Sequence, residues 1–418
     1  MARPDGLALA LVLMLAAGPA AAQEDPEAAA LALADRTLGK AETARAWQLA
    51  LEAALERSSA RADGALLHGR RVSLELQLDY SPAPGWRAVF ADGLDVRRQD
   101  GSDTVNTLKE FYLSWQPRPE QVLDLGRVNA RYGVATGYNP TDFLRAGATR
   151  SVTSIDPASL KKNRLGSVML RGQTLWEGGA LTALFSPRLA DAPSDAPFSA
   201  DLGATNERNR WLLALSQRLS GELQPQWLLY GEQGRPAQLG MNLTYLLGKA
   251  TVAHLEWSGG RSAPQLAQAL QADAGSAFRS RLSAGLSHTT SDKLLLTAEF
   301  EYNGAALARD QWEALGRGPA PPYLRYRQWV QQRQEMATRH SLFLYARWQD
   351  ALRERLDLNA MLRLNADDHS RLSWLEARYH WDRAEAALQW QYMSGRPGSE
   401  FGALPQRQAV QVLLRYFF

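Results

Sequence analysis

The sequence predicts an all-β fold: a transmembrane, antiparallel, up-and-down β-barrel of about 18 strands, with 16 as the alternative count. Three observations lead there. The chain ends on an alternating apolar strand that stops at an aromatic residue. It begins with a short apolar leader. Between the two, strand-length segments with period-2 patterning are joined by connections that alternate between short and long.

The last nine residues place Val410, Val412, Leu414, Tyr416 and Phe418 on one strand face, with Gln411 and Arg415 on the other. An edge strand of a soluble β protein could read this way. A barrel strand that closes a sheet with one face in lipid explains it better. The ending resembles the C-terminal strand of bacterial outer-membrane proteins, which implies recognition by the barrel-assembly machinery through a segment that finishes at Phe418.

At the other end, Arg3 precedes an apolar run from Leu7 to Ala17, then Gly18-Pro19 and Ala20-Ala21-Ala22. This is the pattern of a secretory signal peptide over residues 1–22, cut before Gln23. The run is shorter than the roughly 20 apolar residues that a spanning helix needs. Residues 23–418 are then the barrel, with 23–45 available as a short periplasmic segment. The 418-residue chain has no cysteine and a net charge of +3. A disulfide framework, a thiolate metal site and a cysteine nucleophile are thereby excluded, and so mild a charge does not point to nucleic acid. The 13 Trp and 13 Tyr recur near strand ends, as an interfacial girdle requires.

Period-2 rows run through Val72–Tyr80, Leu239–Leu247, Leu294–Tyr302, Leu356–Leu364 and Ala384–Tyr392. Their polar sides carry charges of both signs, as a wet lumen would. Counting back from a last strand that descends to the periplasm, the long connections 130–163, 187–209, 259–278, 304–334 and 395–407 fall on the outside. The short ones at 81–85, 117–120, 177–178, 247–248, 291–292 and 382–383 fall inside. An even strand count also requires a strand over 46–55, where Ala, Leu and Glu would otherwise favour a helix. At this size the bore should hold water. Two stretches break the pattern. In 370–381, Leu372 and Trp374 share a face with Glu376, Arg378 and His380, which suggests a bulge or a shifted boundary. Part of 304–340 reads as an outer helix.

The candidate functional segment is the long connection that carries Arg127, Arg131, Asp142, Arg145, Arg150, Asp156, Lys161, Lys162 and Arg164. A connection this long needs an explanation. Folded into the bore, its cations would line a constriction that favours anions. Left outside, they would contact lipopolysaccharide. The leader, the terminal strand and the run Gly133…Asn139-Pro140-Thr141-Asp142…Arg145 resemble large proteobacterial outer-membrane barrels, porin-like families and, more distantly, alginate-export channels. The resemblance implies a Gram-negative outer-membrane location in lipid and lipopolysaccharide. It also implies a porin or export pore for polar solutes, anionic ones included, or polysaccharide. An arginine-lined pore would map onto Arg127, Arg131 and Arg145.

Enzyme signatures are weak. The six histidines show no metal-binding spacing, and Gly398-Ser399-Glu400-Phe401-Gly402 misplaces the serine of a nucleophile elbow. Asp367-Asp368-His369-Ser370, at a strand end, reads as turn chemistry more readily than as a catalytic cluster. No catalytic residue, metal or cofactor is expected. The alternative function is a barrel enzyme or surface-assembly protein with a plugged lumen.

Overall fold

The computed structural model describes residues 46–99 and 101–418. The signal peptide and the 23–45 segment lie outside the described residues. The first nine strands are β1 (Trp47–Ala60), β2 (Leu66–Ala83), β3 (Trp86–Arg98), β4 (Ser102–Arg118), β5 (Gln121–Val128), β6 (Ser167–Trp176), β7 (Gly179–Ser186), β8 (Arg210–Gln217) and β9 (Leu223–Glu232). The second nine are β10 (Gln238–Leu247), β11 (Thr251–Ser262), β12 (Ala277–Thr289), β13 (Leu294–Asn303), β14 (His340–Trp348), β15 (Leu356–Asn365), β16 (Arg371–His380), β17 (Ala384–Ser394) and β18 (Gln406–Phe417). They form one 18-stranded antiparallel sheet. Each strand pairs with its sequence neighbours, and β18 pairs with β1 from Ala50 opposite Phe417 to Ser59 opposite Gln408. The sheet is therefore closed and has no free edge.

Closure explains why 47–60 is a strand despite its helix-forming residues. Hydrogen-bond partners wait on both sides, on β2 and on β18, and tertiary pairing overrides propensity. Alternation then sorts the side chains. Leu51, Leu55, Val72, Leu74, Val412 and Leu414 are exposed on the outside, while Ala50, Ala54, Arg71 and Ser73 are buried on the inside. At the short-turn end the exterior carries aromatics, among them Trp47, Trp176, Trp381 and Tyr416. Trp86 and Trp115 stack there at 5.6 Å between ring centroids.

The connections at this end are short. Glu177-Gly178 joins β6 to β7, with Gly178 at φ +74°, the left-handed conformation that a two-residue hairpin needs. The other end carries the long connections, including 129–166, 187–209, 263–276, 304–339 and 395–405. They hold five helices: α1 (Pro157–Lys162), α2 (Leu202–Thr205), α3 (Gln265–Leu270), α4 (Arg309–Arg317) and α5 (Ala320–Arg333).

Two expectations need correction. β16 keeps unbroken register with both neighbours, so neither a bulge nor a shifted boundary accounts for its mixed face. Trp374 points inward and packs with Phe343, Met361 and Ile155. Ile155 comes from the 129–166 connection, so the apolar end of that face is covered by a loop inside the barrel. For the same reason the bore is not uniformly wet. Val128, Met169, Leu184, Leu212, Leu228 and Tyr230 form an internal apolar cluster against Leu144 and Phe143 of the same loop.

Candidate functional site: the infolded loop and the wall it faces

The 129–166 connection is held in the lumen by carboxylates from the far wall. Glu256 on β11 accepts hydrogen bonds at Oε2 from the backbone N–H groups of Val134 (3.0 Å) and Ala135 (3.1 Å). Its Oε1 accepts from the Thr141 backbone and hydroxyl, both at 2.8 Å. Asn139 Nδ2 adds a bond at 3.2 Å. Glu299 on β13 accepts from the N–H groups of Thr136 (2.6 Å) and Gly137 (2.8 Å) and lies 3.0 Å from His254 Nε2. Two acidic side chains thus satisfy a run of backbone donors that irregular chain inside a barrel would otherwise leave unpaired. The approach is close enough to require glycine. Gly133 has φ +105°, and a Cβ there would sit 2.6 Å from Glu256 Oε1.

A second lock joins this loop to the 304–339 connection. Arg145 pairs with Glu335 at 2.7 Å, and the Tyr138 hydroxyl donates to Glu335 Oε2 at 2.7 Å. Asn303 Nδ2 donates to the same oxygen at 2.9 Å. Burial works against the Glu335 carboxylate, but Arg145 and Arg281 outweigh it and hold its pKa below the ordinary value.

Most of the sequence-selected charges serve such struts. Arg127 is buried and donates to the Leu108 carbonyl at 3.2 Å. Asp142 and Arg164 form a buried ion pair at 2.6 Å, and Arg164 also reaches the Ala130 carbonyl at 2.7 Å. Arg150 pairs with Asp201 of the 187–209 connection at 2.7 Å. Asp156 caps α1 through the Ser159 N–H at 2.9 Å and accepts from the Tyr345 hydroxyl at 3.0 Å. Lys161 donates to the Ala135 carbonyl at 2.7 Å. Arg131 is exposed.

Lys162 differs. Among the described residues its ammonium has no hydrogen-bond or ion-pair partner. Burial lowers its pKa; Glu75 opposes that shift, while Arg415 and Lys109 add to it. These three belong to a ladder of charges on β18 and β1–β4. Lys109 Nζ bonds Glu75 Oε1 at 2.8 Å and Asn163 Oδ1 at 2.7 Å. Arg415 pairs with Glu75, Arg71 with Glu52, and Arg71 lies 3.9 Å from Asp95. The three cations Arg71, Lys109 and Arg415 offset the three anions Glu52, Glu75 and Asp95. Lys162 stands beside them without a direct ion pair among the described residues, and Glu385 acts on it from further off together with Glu75.

Sequence reading missed the anchors Glu256, Glu299 and Glu335 and most of the ladder. Period 2 marks the strand members as inward-facing, but the loop they hold lies more than a hundred residues away. The Asp367–Ser370 cluster proves to be a docking point. Asp368 Oδ2 accepts from Trp312 Nε1 at 2.9 Å and from the Glu400 N–H at 2.7 Å, and Oδ1 accepts from the Ser370 N–H at 2.8 Å. Among the described residues no group of His, Asp and Glu side chains is placed to hold a metal.

No family profile matches the chain, and no curated protein sequence does. Solved structures do. Pseudomonas aeruginosa OccK5 (OpdH) superposes with a TM-score of 0.55 at 10% identity, over 89% of this chain and 98% of that one. A BenF-like porin from Pseudomonas fluorescens Pf-5 gives 0.54 at 11% identity, over 89% and 98%. Pseudomonas aeruginosa OccK2 (OpdF), solved in complex with glucuronate, gives 0.52 at 10% identity, over 89% and 98%. At these identities the likeness is one of fold alone: the chain shares the closed β-barrel of these porins.

Proposed function

We propose that this protein is an outer-membrane channel of a Gram-negative bacterium that passes small polar solutes with a preference for anions, carboxylates above all. The leader over 1–22 would be removed, leaving 23–45 in the periplasm before the barrel. The apolar exterior and aromatic end-girdle suit lipid on one side and lipopolysaccharide at the long-loop end. The terminal strand suits the barrel-assembly machinery.

The observation that carries the selectivity is the Lys162 ammonium, which has no hydrogen-bond or ion-pair partner among the described residues, beside a ladder of paired charges. A passing carboxylate finds there a cation that pairs with no group among the described residues, with Arg415 and Lys109 adding to its field and Glu75 and Glu385 opposing it. The glucuronate held by OccK2 is a solute of this chemistry. An arginine-lined pore for polysaccharide is less well supported, because Arg127 and Arg145, on which it would depend, are buried in struts.

The test is uptake into proteoliposomes. Glucuronate should enter faster than uncharged glucose, and Lys162→Gln should remove that preference while both sugars still enter. Equal rates in the unaltered protein would refute the anion reading. No uptake of either would favour the plugged-barrel alternative, which gains weight from a loop that touches walls on several sides of the lumen.

A further inference from the structure

The 304–339 connection is pinned at two widely separated places on the barrel rim. Near its start, Trp312 of α4 is held by Asp368. In α5, the Tyr323 hydroxyl donates to the Gly398 carbonyl at 3.1 Å, and Arg327 donates to the carbonyls of Ser399 (3.2 Å) and Glu400 (3.0 Å). These acceptors belong to the connection between β17 and β18. At the other end of α5, Arg333 pairs with Glu207 at 2.9 Å, and the Gly147 N–H donates to the Gln332 carbonyl at 3.0 Å. Glu207 stands just before β8. The two pinning connections leave the ring eight strands apart one way round and ten the other, on nearly opposite sides of the barrel.

The dimensions agree. An 18-stranded ring with strands about 4.8 Å apart and tilted about 40° has a backbone diameter of about 35 Å. The helical rise from Tyr323 to Arg333 is about 15 Å, and the two side chains and the inward-leaning loops supply the rest. Packing keeps the span straight. Trp312, Tyr326, Val330 and Leu307 form one buried cluster that α3 also joins through Leu266 and Ala269.

We propose that α5 is a fixed beam across the outer mouth, and that solutes reach the lumen only beside it, so that the beam sets the upper size of what is admitted. This rests on the channel reading above. A helix about 10 Å wide across a 35 Å opening covers roughly a third of it. The residues that set this limit are the pins, Arg327 and Arg333, neither of which lines the Lys162 site.

The chain has no cysteine, so Glu56→Cys, on the inner face of β1, provides a unique reporter. Intact cells are treated with a small maleimide and with a bulky polyethylene glycol maleimide. In the otherwise unaltered protein the small reagent reacts and the bulky one lags. Replacing 309–334 by a short Gly-Ser linker should raise the bulky reagent's rate relative to the small one by at least about 1.5-fold, the area uncovered. Arg327→Ala with Arg333→Ala should act in the same direction in the full-length chain and covers the case in which the deletion fails to assemble. A bulky reagent that already matches the small one, or a ratio unmoved by both variants, overturns the beam but leaves the channel standing. Exclusion of the small reagent from every variant sinks the channel reading instead. In bilayers without the reporter, a Glu207→Cys/Arg333→Cys disulfide should leave conductance unchanged. A fall on cross-linking would mean a moving gate and would also overturn the fixed beam.

Discussion

Replacing Glu256 with alanine should free the infolded loop without unfolding the barrel. Five donors converge on this carboxylate. Two keep another acceptor: Asn139 Nδ2 retains the Ala135 carbonyl, and the Thr141 hydroxyl retains Asn242 Oδ1. The backbone N–H groups of Val134, Ala135 and Thr141 lose the acceptor described here. Each orphaned buried donor costs about 1–3 kcal/mol, so the docked loop loses about 3–5 kcal/mol once water reaches part of the gap. A loss of 3 kcal/mol moves the docked-to-released ratio more than about a hundredfold. Glu256→Gln keeps one acceptor oxygen and should cost about half as much. The ladder hydrogen bonds of the wall are untouched, so the folded form should still migrate differently from the heated one on a gel. The assay is limited trypsin digestion of the refolded protein, which reports release through cleavage at Arg131 and at Lys161–Lys162, paired with single-channel recording. Faster cleavage and larger, noisier conductance are expected, graded Ala above Gln. Unchanged cleavage and conductance in Glu256→Ala would refute the anchoring role.

Three further outcomes follow from other parts of the structure. Trp374→Ala empties a site that Phe343, Met361 and Ile155 surround; it should cost about 3–5 kcal/mol, read as a lower unfolding temperature in detergent, and a cost below about 1 kcal/mol would contradict the packing. The pKa of Glu335 is lowered in the folded state, so its contribution is present above the ordinary carboxylate value of about 4.3 and lost as pH falls through the folded one. Channel noise should therefore rise in acid, and Glu335→Gln should be noisy at neutral pH and lose the acid response; a Gln variant that keeps it would show that another group titrates. Deleting Phe418 should reduce the protein assembled in cells while leaving refolding in detergent nearly intact, and equal loss in both would assign the residue to stability instead of assembly.

The wall of this barrel was legible in the sequence because it is written locally. Alternation set the faces of β2, β10, β13, β15 and β17, and the short turns at 177–178 and 382–383 marked where β6 gives way to β7 and β16 to β17. Parity recovered β1 where propensity pointed to a helix, since closure is a property of the whole sheet. The lumen was not legible, because its contacts join residues far apart in sequence. Arg145 and Glu335 are 190 positions apart, and nothing near Arg145 signals that its charge is already neutralised. The mixed face of β16 carried a readable sign, since an apolar patch on an inward face implies something packed against it. The identity of that cover, Ile155, could not be read from the strand. Lys162 was selected along with eight neighbours for its charge, and only the partners of the others set it apart.

Reversal potential across a bilayer holding the refolded protein in a potassium chloride gradient tests the central claim most directly. The account predicts discrete single-channel steps with a reversal potential on the chloride side, moving toward zero in Lys162→Gln. A cation-side potential, or a value that Lys162→Gln does not shift, would contradict it.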